Sequence, residues 1–343
     1  MNKNFNIENK LSKLFDTWYG STPENIQKLP HSGSSRTYYR LQKGNISAIG
    51  VYNNHLKENI AFIDFTKQFI QTRINVPKVY AEQLDDHIYL IQDLGDTQLL
   101  SWLISQKVDE NFPDTALEIY KKVIQGLIQM QITTGRNFDY SKCYQFNTFN
   151  AESIIFDLNY FKTKYVDTLE INCDRDKIKK DFDLFSKYLL NAENSYFMFR
   201  DFQARNIILV EDQPYFIDYQ GGRKGPLQYD LVSLLFQAKA QIPEETKNLL
   251  LKYYISLAQQ FTPINKEEFV EYYFAFALVR VLQTLGAYGL RGLIEKKQHF
   301  IESIPLAINN LIYLKDKIEI LSHLPELNQL INKIIKTNIS NEK

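Results

Sequence analysis

The chain has 343 residues, 44% of them hydrophobic and 23% charged, a length and balance that call for two packed units with large cores and exclude a disordered or low-complexity protein. Forty basic residues are matched by forty acidic ones, so no overall field points to nucleic acid or to an anionic membrane as partner. The two cysteines, Cys143 and Cys173, are too few for a disulfide framework or a Cys-rich metal site and read as buried thiols of a cytoplasmic protein.

The opening stretch MNKNFNIENK lacks the apolar core of a signal peptide, and FAFALV at 274–279 is far short of a membrane span. Residues 26–52 read as a three-stranded meander: IQKLP, the small-residue loop HSGSS, RTYYRLQ, the turn KGN and ISAIGVY. From 55 to 73 the apolar residues Ile60, Ile63, Phe65, Phe69 and Ile70 recur at helical spacing, and VPKVY and HIYLIQ return to strand character. Beyond DLGDT at 93–97 the pattern turns helical, in PDTALEIYKKVIQGLIQMQIT, AESIIFDLNYFKTKYVDTLE, DKIKKDFDLFSKYLL and several stretches after 244. The expected class is α+β. Residues 1–95 carry a small antiparallel sheet with one main helix, and 96–343 form a larger helical unit interrupted by one hairpin.

That hairpin concentrates the chemistry. FRDFQARN at 199–206 runs straight into IILV. Pairing IILV (207–210) with YFID (215–218) across EDQP sets Ile207 opposite Asp218, with the two backbones about 5 Å apart. Asn206 and Asp218 then share one open end, and Asp201 reaches it from the preceding loop. Mg²⁺ takes oxygen ligands, commonly one or two carboxylates completed by substrate phosphates and water, which suits Asn206 and Asp218. A carboxylate outside that shell can accept a hydroxyl proton in line with a phosphoryl group, which suits Asp201.

The D-x-x-x-x-N loop, hairpin and following aspartate resemble the catalytic segment of protein-kinase-like phosphotransferases. FRDFQARNIILV, PYFIDYQGGRKGPLQYDLVSLL and LVRVLQTLGAYGLRGL are similar to the aminoglycoside-phosphotransferase-type family, and within it to bacterial anomeric kinases of N-acetylmuramate and N-acetylglucosamine. The likeness is strongest over 199–236. It implies a bilobal protein-kinase-like fold, a nucleotide-binding lobe over 1–95, ATP and Mg²⁺ as cofactors, and a small-molecule hydroxyl as acceptor. It also implies Asp201 and its neighbour Arg200 as catalytic residues, Asn206 and Asp218 at the metal, and Asp230 bracing the catalytic loop. By itself Asp230, in YDLVSLL, reads as a helix N-cap.

The nucleotide end departs from the family pattern. HSGSSR at 31–36 has one glycine, Gly33, and would cover phosphates with backbone N–H groups and the hydroxyls of Ser32, Ser34 and Ser35. HIYLIQ running into DLGD resembles the inter-lobe hinge, where backbone groups of Gln92, Asp93 and Leu94 would meet adenine. The lysine of the usual A-x-K strand is replaced by Gly50 in AIG. Pairing YYRLQ with ISAIG across KGN puts Arg40 opposite Ala48, on the face of Gly50 and roughly 7 Å from it, so Arg40 is expected to hold the phosphates with Glu58 as its partner. Phe199 stands where a histidine usually precedes the Arg-Asp pair.

An aminoglycoside acceptor needs an acidic pocket for its ammonium groups. The stretches expected to wall this pocket instead carry Arg205, Arg223, Lys224, Arg280 and Arg291, favouring a neutral or carboxylate-bearing sugar. Gln203 and Gln220 flank the aspartates and would bond sugar hydroxyls. Arg280, inside the apolar FAFALVRVLQTLG, must face the cleft or a carboxylate. The five histidines show no metal-ligand spacing. An aminoglycoside or choline-type acceptor is the alternative within the class. The departures at Gly50 and Phe199 open another outside it, a nucleotide-binding protein that regulates a partner.

Overall fold

The computed structural model describes residues 3–30, 36–106 and 112–341; the loop with Ser32, Gly33, Ser34 and Ser35 lies outside them. Five antiparallel strands, β1 (Asn25–Lys28), β2 (Thr37–Lys43), β3 (Ile46–Tyr52), β4 (Val79–Gln83) and β5 (Ile88–Gln92), form a sheet in the order β1-β2-β3-β5-β4. Near-continuous apolar runs in the central strands β3 and β5, whose side chains point alternately to either side, give the sheet two buried faces. Tyr39, Leu41, Ala48, Ile88 and Leu90 pack on Ile7, Leu11, Leu14 and Phe15 of helix α1 (Lys3–Tyr19). Ile49, Val51, Tyr89 and Ile91 face the other way, in the core shared with Ala61, Phe62, Phe65 and Phe69 of helix α2 (Leu56–Gln71). Helix α1 was not among the expected elements, although Ile7, Leu11, Leu14, Phe15 and Trp18 recur at helical spacing. Trp18 also stacks on Tyr80, with ring centroids 4.2 Å apart.

The β2–β3 register corrects the expected pairing. Lys43 lies opposite Ile46, so the turn holds two residues, Gly44 and Asn45, rather than three, and Gly44 takes a left-handed φ of 55°, as tight hairpins require. Arg40 is therefore opposite Ile49, and Ala48 is opposite Leu41. A one-residue slip exchanges the faces. Gly50 points at α1, where an added Cβ would stand 2.8 Å from side-chain atoms of Leu11 and Leu41. A lysine at 50 would enter that core rather than the cleft.

The link Asp93–Gln98 leads into the helical region and docks on it: Leu209 N–H donates to Thr97 O at 2.8 Å. The helices are α3 (Leu99–Gln106), α4 (Asp114–Ile128), α5 (Ala151–Phe161), α6 (Arg175–Leu189), α7 (Leu227–Leu235), α8 (Glu244–Ala258), α9 (Lys266–Tyr288), α10 (Gln298–Ile301), α11 (Ile304–Leu314) and α12 (Pro325–Asn341). Through its continuation to Ile294, α9 reaches the length and apolarity of a membrane span, but it is largely buried, packed by α5, α7 and α11. Two short ladders interrupt the helices, one more than expected. Strand β6 (Tyr196–Met198) pairs with β9 (Arg223–Gly225), and β7 (Ile207–Val210) with β8 (Gln213–Phe216). Cys143 and Cys173 are free and half-buried rather than fully buried.

Candidate active site

The β7–β8 turn is also tighter than expected. Glu211 and Asp212 both adopt left-handed φ values, 49° and 58°, so Val210 pairs with Gln213 and Ile207 lies opposite Phe216, not Asp218. The ladder is continued by Ile217 N–H donating to Asn206 O at 3.0 Å. Asp218 therefore leaves the hairpin beside Asn206, at the open end where Asp201 arrives from β6.

The catalytic loop is held from below. Asp230 lies inside α7, whose N-cap is Pro226, so the expected N-cap role is replaced by another. Its carboxylate accepts the Phe199 and Arg200 N–H groups at 2.7 and 2.9 Å and the Gln131 amide at 3.2 Å. Burial pushes this carboxyl up to about 7, against those donors. Arg200 takes a φ of 78° and Asp218 one of 72°, conformations that cost non-glycine residues about 1–3 kcal/mol and persist where surrounding contacts impose them. The paired N–H bonds to Asp230 impose the first. Phe199 fills the space beneath, edge-on to Phe202 and Tyr219, and Gln237 accepts the Ala204 N–H at 2.8 Å.

Asn206 donates its amide to Asp201 O at 2.8 Å and to Asp201 Oδ2 at 3.3 Å, leaving its Oδ1 as the atom it can offer a cation. Asp201 is partly exposed, with Arg205 at 2.8 Å and the buried Arg280 at 3.3 Å. Burial pushes its carboxyl up, and the two guanidiniums more than offset this, holding it below the usual carboxylate value. This favours the ionised carboxylate. Asp201, Arg205, Asp218 and Arg280 line one open cavity of about 510 Å³, with Arg36 and Glu58 closing it from the sheet side.

Arg36 is the cation the sequence reading overlooked. Its guanidinium bonds Asp218 and lies 3.6 Å from Glu58. Arg40, expected to pair with Glu58 and reach the phosphates, is committed elsewhere: it bonds Asp93 at 2.7 Å and Asp96 at 2.8 Å. Asp93 also accepts from Ser47 and from Gly95 N–H. Gln92, the last residue of β5, donates its N–H to Lys78 O; it lies outside the cavity wall, as do Asp93 and Leu94 of the link.

The acceptor candidates divide. Gln203, Arg205 and Arg280 line the cavity. Gln220 does too, but its amide nitrogen is engaged by Asp218 at 2.9 Å and Glu58 at 3.3 Å, while its buried Oε1 accepts from no described group. Arg223 is fully buried behind the wall, bonded to Gly221 O and Gln145 and lying on the Phe146 ring. Lys224 rests over Tyr140, and Arg291 pairs with Glu295. Lys239, Gln283 and Tyr288 also line the cavity, and no local motif marks them.

The sequence pattern of the phosphotransferase enzyme family matches residues 25–263. Two relatives are each named N-acetylmuramate/N-acetylglucosamine kinase. One, from Pseudomonas aeruginosa, is 22% identical over 95% of this chain and 94% of its own. The other, from Neisseria meningitidis, is 24% identical over 69% of this chain and 70% of its own. Among solved structures, a choline kinase from Cryptosporidium parvum superposes with a TM-score of 0.62 at 13% identity, covering 96% of this chain and 99% of that one. An amicoumacin kinase in complex with AMP-PNP and Ca²⁺ gives 0.62 at 12% identity, covering 92% and 96%. With a family match over more than half its length and a bilobal, protein-kinase-like fold, the chain belongs to the phosphotransferase enzyme family and is a small-molecule kinase.

Proposed function

We propose that this kinase is a cytoplasmic enzyme that transfers the γ-phosphate of ATP to the anomeric hydroxyl of an amino sugar, N-acetylmuramate or N-acetylglucosamine. In this reading residues 1–95 form the nucleotide-binding lobe and 96–343 the lobe carrying catalytic loop and acceptor. The observation that carries it is one cavity lined by Asp201 and Asp218, under walls carrying Arg200, Arg205, Lys239 and Arg280, with the buried Asn206 bonded to Asp201 just behind its lining. Such walls suit a neutral or carboxylate-bearing acceptor and repel a polycation. The names of the two relatives point the same way.

The donor set fits Mg²⁺: one carboxylate and one amide oxygen, a hard pair that leaves room for phosphate oxygens and water. Bound there, the ion would neutralise charge on the transferring phosphoryl group. The chain's own residues do the rest. Asp201 receives the acceptor's hydroxyl proton and aims its oxygen. Arg205 and Arg280 keep Asp201 ionised, and Gln203 is available to a sugar hydroxyl. Catalysis here is mainly positioning and charge balance.

The test is phosphorus NMR of products formed from ATP with a panel of amino sugars, aminoglycosides and choline. A phosphate ester that breaks down in mild acid, formed from an N-acetylated sugar, is the expected result. An acid-stable ester on an aminoglycoside or on choline would replace the acceptor assignment. No product from any acceptor, with ATP still bound, would favour the regulatory alternative.

A further inference from the structure

Strand β3, Ile46–Tyr52, carries neither lysine nor arginine, yet the cavity receives one basic side chain from the described sheet region, Arg36. It stands immediately before β2 and is 6% exposed. Two carboxylates from distant parts of the chain converge on it: Asp218, leaving the β7–β8 hairpin, and Glu58, in the first turn of α2. Glu58 is itself fixed, accepting from Asn53 at 2.9 Å and from Gln220 at 3.3 Å. Asn53 is held in turn, since its carbonyl accepts from Asn59 at 2.8 Å. Asp218, in contrast, is also the carboxylate best placed to bind a divalent ion.

One carboxylate facing both a guanidinium and a candidate metal position sets up a competition. A dication brought to Asp218 while Arg36 sits on it meets like charge at short range in a partly desolvated site. A polyphosphate removes the conflict, because its oxygens accept from a guanidinium in the bidentate geometry that arginine favours and complete the shell of the ion. Resting on the kinase reading above, we infer that Arg36 is the phosphate clamp of this enzyme, anchored by Glu58, and that without nucleotide it occupies Asp218 in place of the metal. Metal and nucleotide then bind as a coupled pair. Arg36 is a positioning residue for the donor, acting from the start of β2 where kinases of this fold use a lysine on β3.

The coupling gives Arg36→Gln two effects of opposite sign. Mn²⁺ alone, followed by electron paramagnetic resonance, should bind at least about fivefold tighter to the variant. ATP with Mg²⁺, followed by calorimetry, should bind about tenfold weaker or worse, and adenosine within about twofold of the parent. Arg36→Lys should recover most of the ATP affinity. Should Arg36→Gln fail to fold, Glu58→Gln serves: it leaves the cation but removes its anchor, and ATP binding should fall about threefold with adenosine unchanged. Unaltered Mn²⁺ binding, or equal losses for ATP and adenosine, would overturn the inference while leaving the kinase reading intact. A parent protein that binds no ATP would instead overturn the kinase reading.

Discussion

On the helical side of the cavity, the catalytic loop hangs on buried, neutral-backbone hydrogen bonds: Asp230 holds Phe199 and Arg200, Gln237 holds Ala204, and Asn206 closes back on Asp201. On the sheet side, ion pairs join the parts, with Arg36 between Asp218 and Glu58 and amides of Asn53 and Gln220 on the two carboxylates. The first arrangement cannot rearrange without leaving buried polar groups unpaired, at about 1–3 kcal/mol each. The second can exchange one anion for another at little cost. A kinase needs both. The base must be preorganised, whereas the donor site has to accept and release a highly charged molecule in every turnover.

Removing the base tests the fixed side most severely. Asp201→Asn should lower kcat by roughly 10³-fold, the middle of the range a positioned base contributes, while ATP affinity stays within about threefold. A parallel loss of ATP binding would mean that Asp201 belongs to the donor site. Next comes Asp230→Ala, which touches no ligand. It strands two N–H groups and relieves the restraint on the left-handed Arg200. Stability should fall by about 2–4 kcal/mol, readable as a lower denaturant midpoint, and kcat should fall about 10²-fold with KM for ATP little changed. A variant that loses stability but keeps kcat would show that the loop holds its shape without this anchor.

The two hairpins explain how much of this was legible. Both turns were read too long, because left-handed residues such as Glu211 and Asp212 give no reliable local signal, and two-residue turns look like longer polar loops. At β7–β8 the pairing shifted by two residues, which keeps every side chain on its face, so the convergence of Asn206 and Asp218 survived. At β2–β3 the shift was one, which exchanged the faces, and Arg40 was placed on the face of Gly50, which it does not share. The sheet, α2 and the mostly helical remainder were readable from period alone. Helix α1 was obscured by its many Asn and Lys residues. The ion pair joining Arg36 to Asp218 spans 182 residues, and contacts of that kind leave no spacing to detect.

A smaller effect sharpens the comparison at the boundary between the two sides. Arg280 reaches Asp201 from α9 through Nη2, and its Nη1 meets Gln283 at 2.6 Å and Tyr229 OH at 3.4 Å. Its removal in Arg280→Gln leaves Asp201 with Arg205 as its near cation, so the carboxyl moves upward. The acidic limb of kcat/KM against pH should shift to higher pH, with a loss of about tenfold near neutrality. An unmoved limb, at any rate, would separate Arg280 from the ionisation of the base.

The smallest effect lies beneath the fixed side, where Lys247 on α8 is buried against Asn310 (3.4 Å) and over the rings of Phe236 and Tyr313. Asn310 in turn donates to Phe236 O, one residue before Gln237. Burial lowers this ammonium from 10.5 to about 8. Between those values the unfolded chain keeps a proton that the folded chain has released, so this group makes stability rise with pH from about 8 to 10.5 and adds no slope below about 8. Lys247→Met keeps the volume and deletes the titration. Melting temperature at pH 7 should be equal or higher, the rise above pH 8 should flatten, and kcat should change less than twofold, because the hydrogen bonds from Asp230 and Gln237 to the loop remain. A large fall in kcat would mean that the loop depends on the Lys247 ammonium as well as on the hydrogen bonds accepted by Asp230 and Gln237, and the contrast with the sheet side would no longer hold.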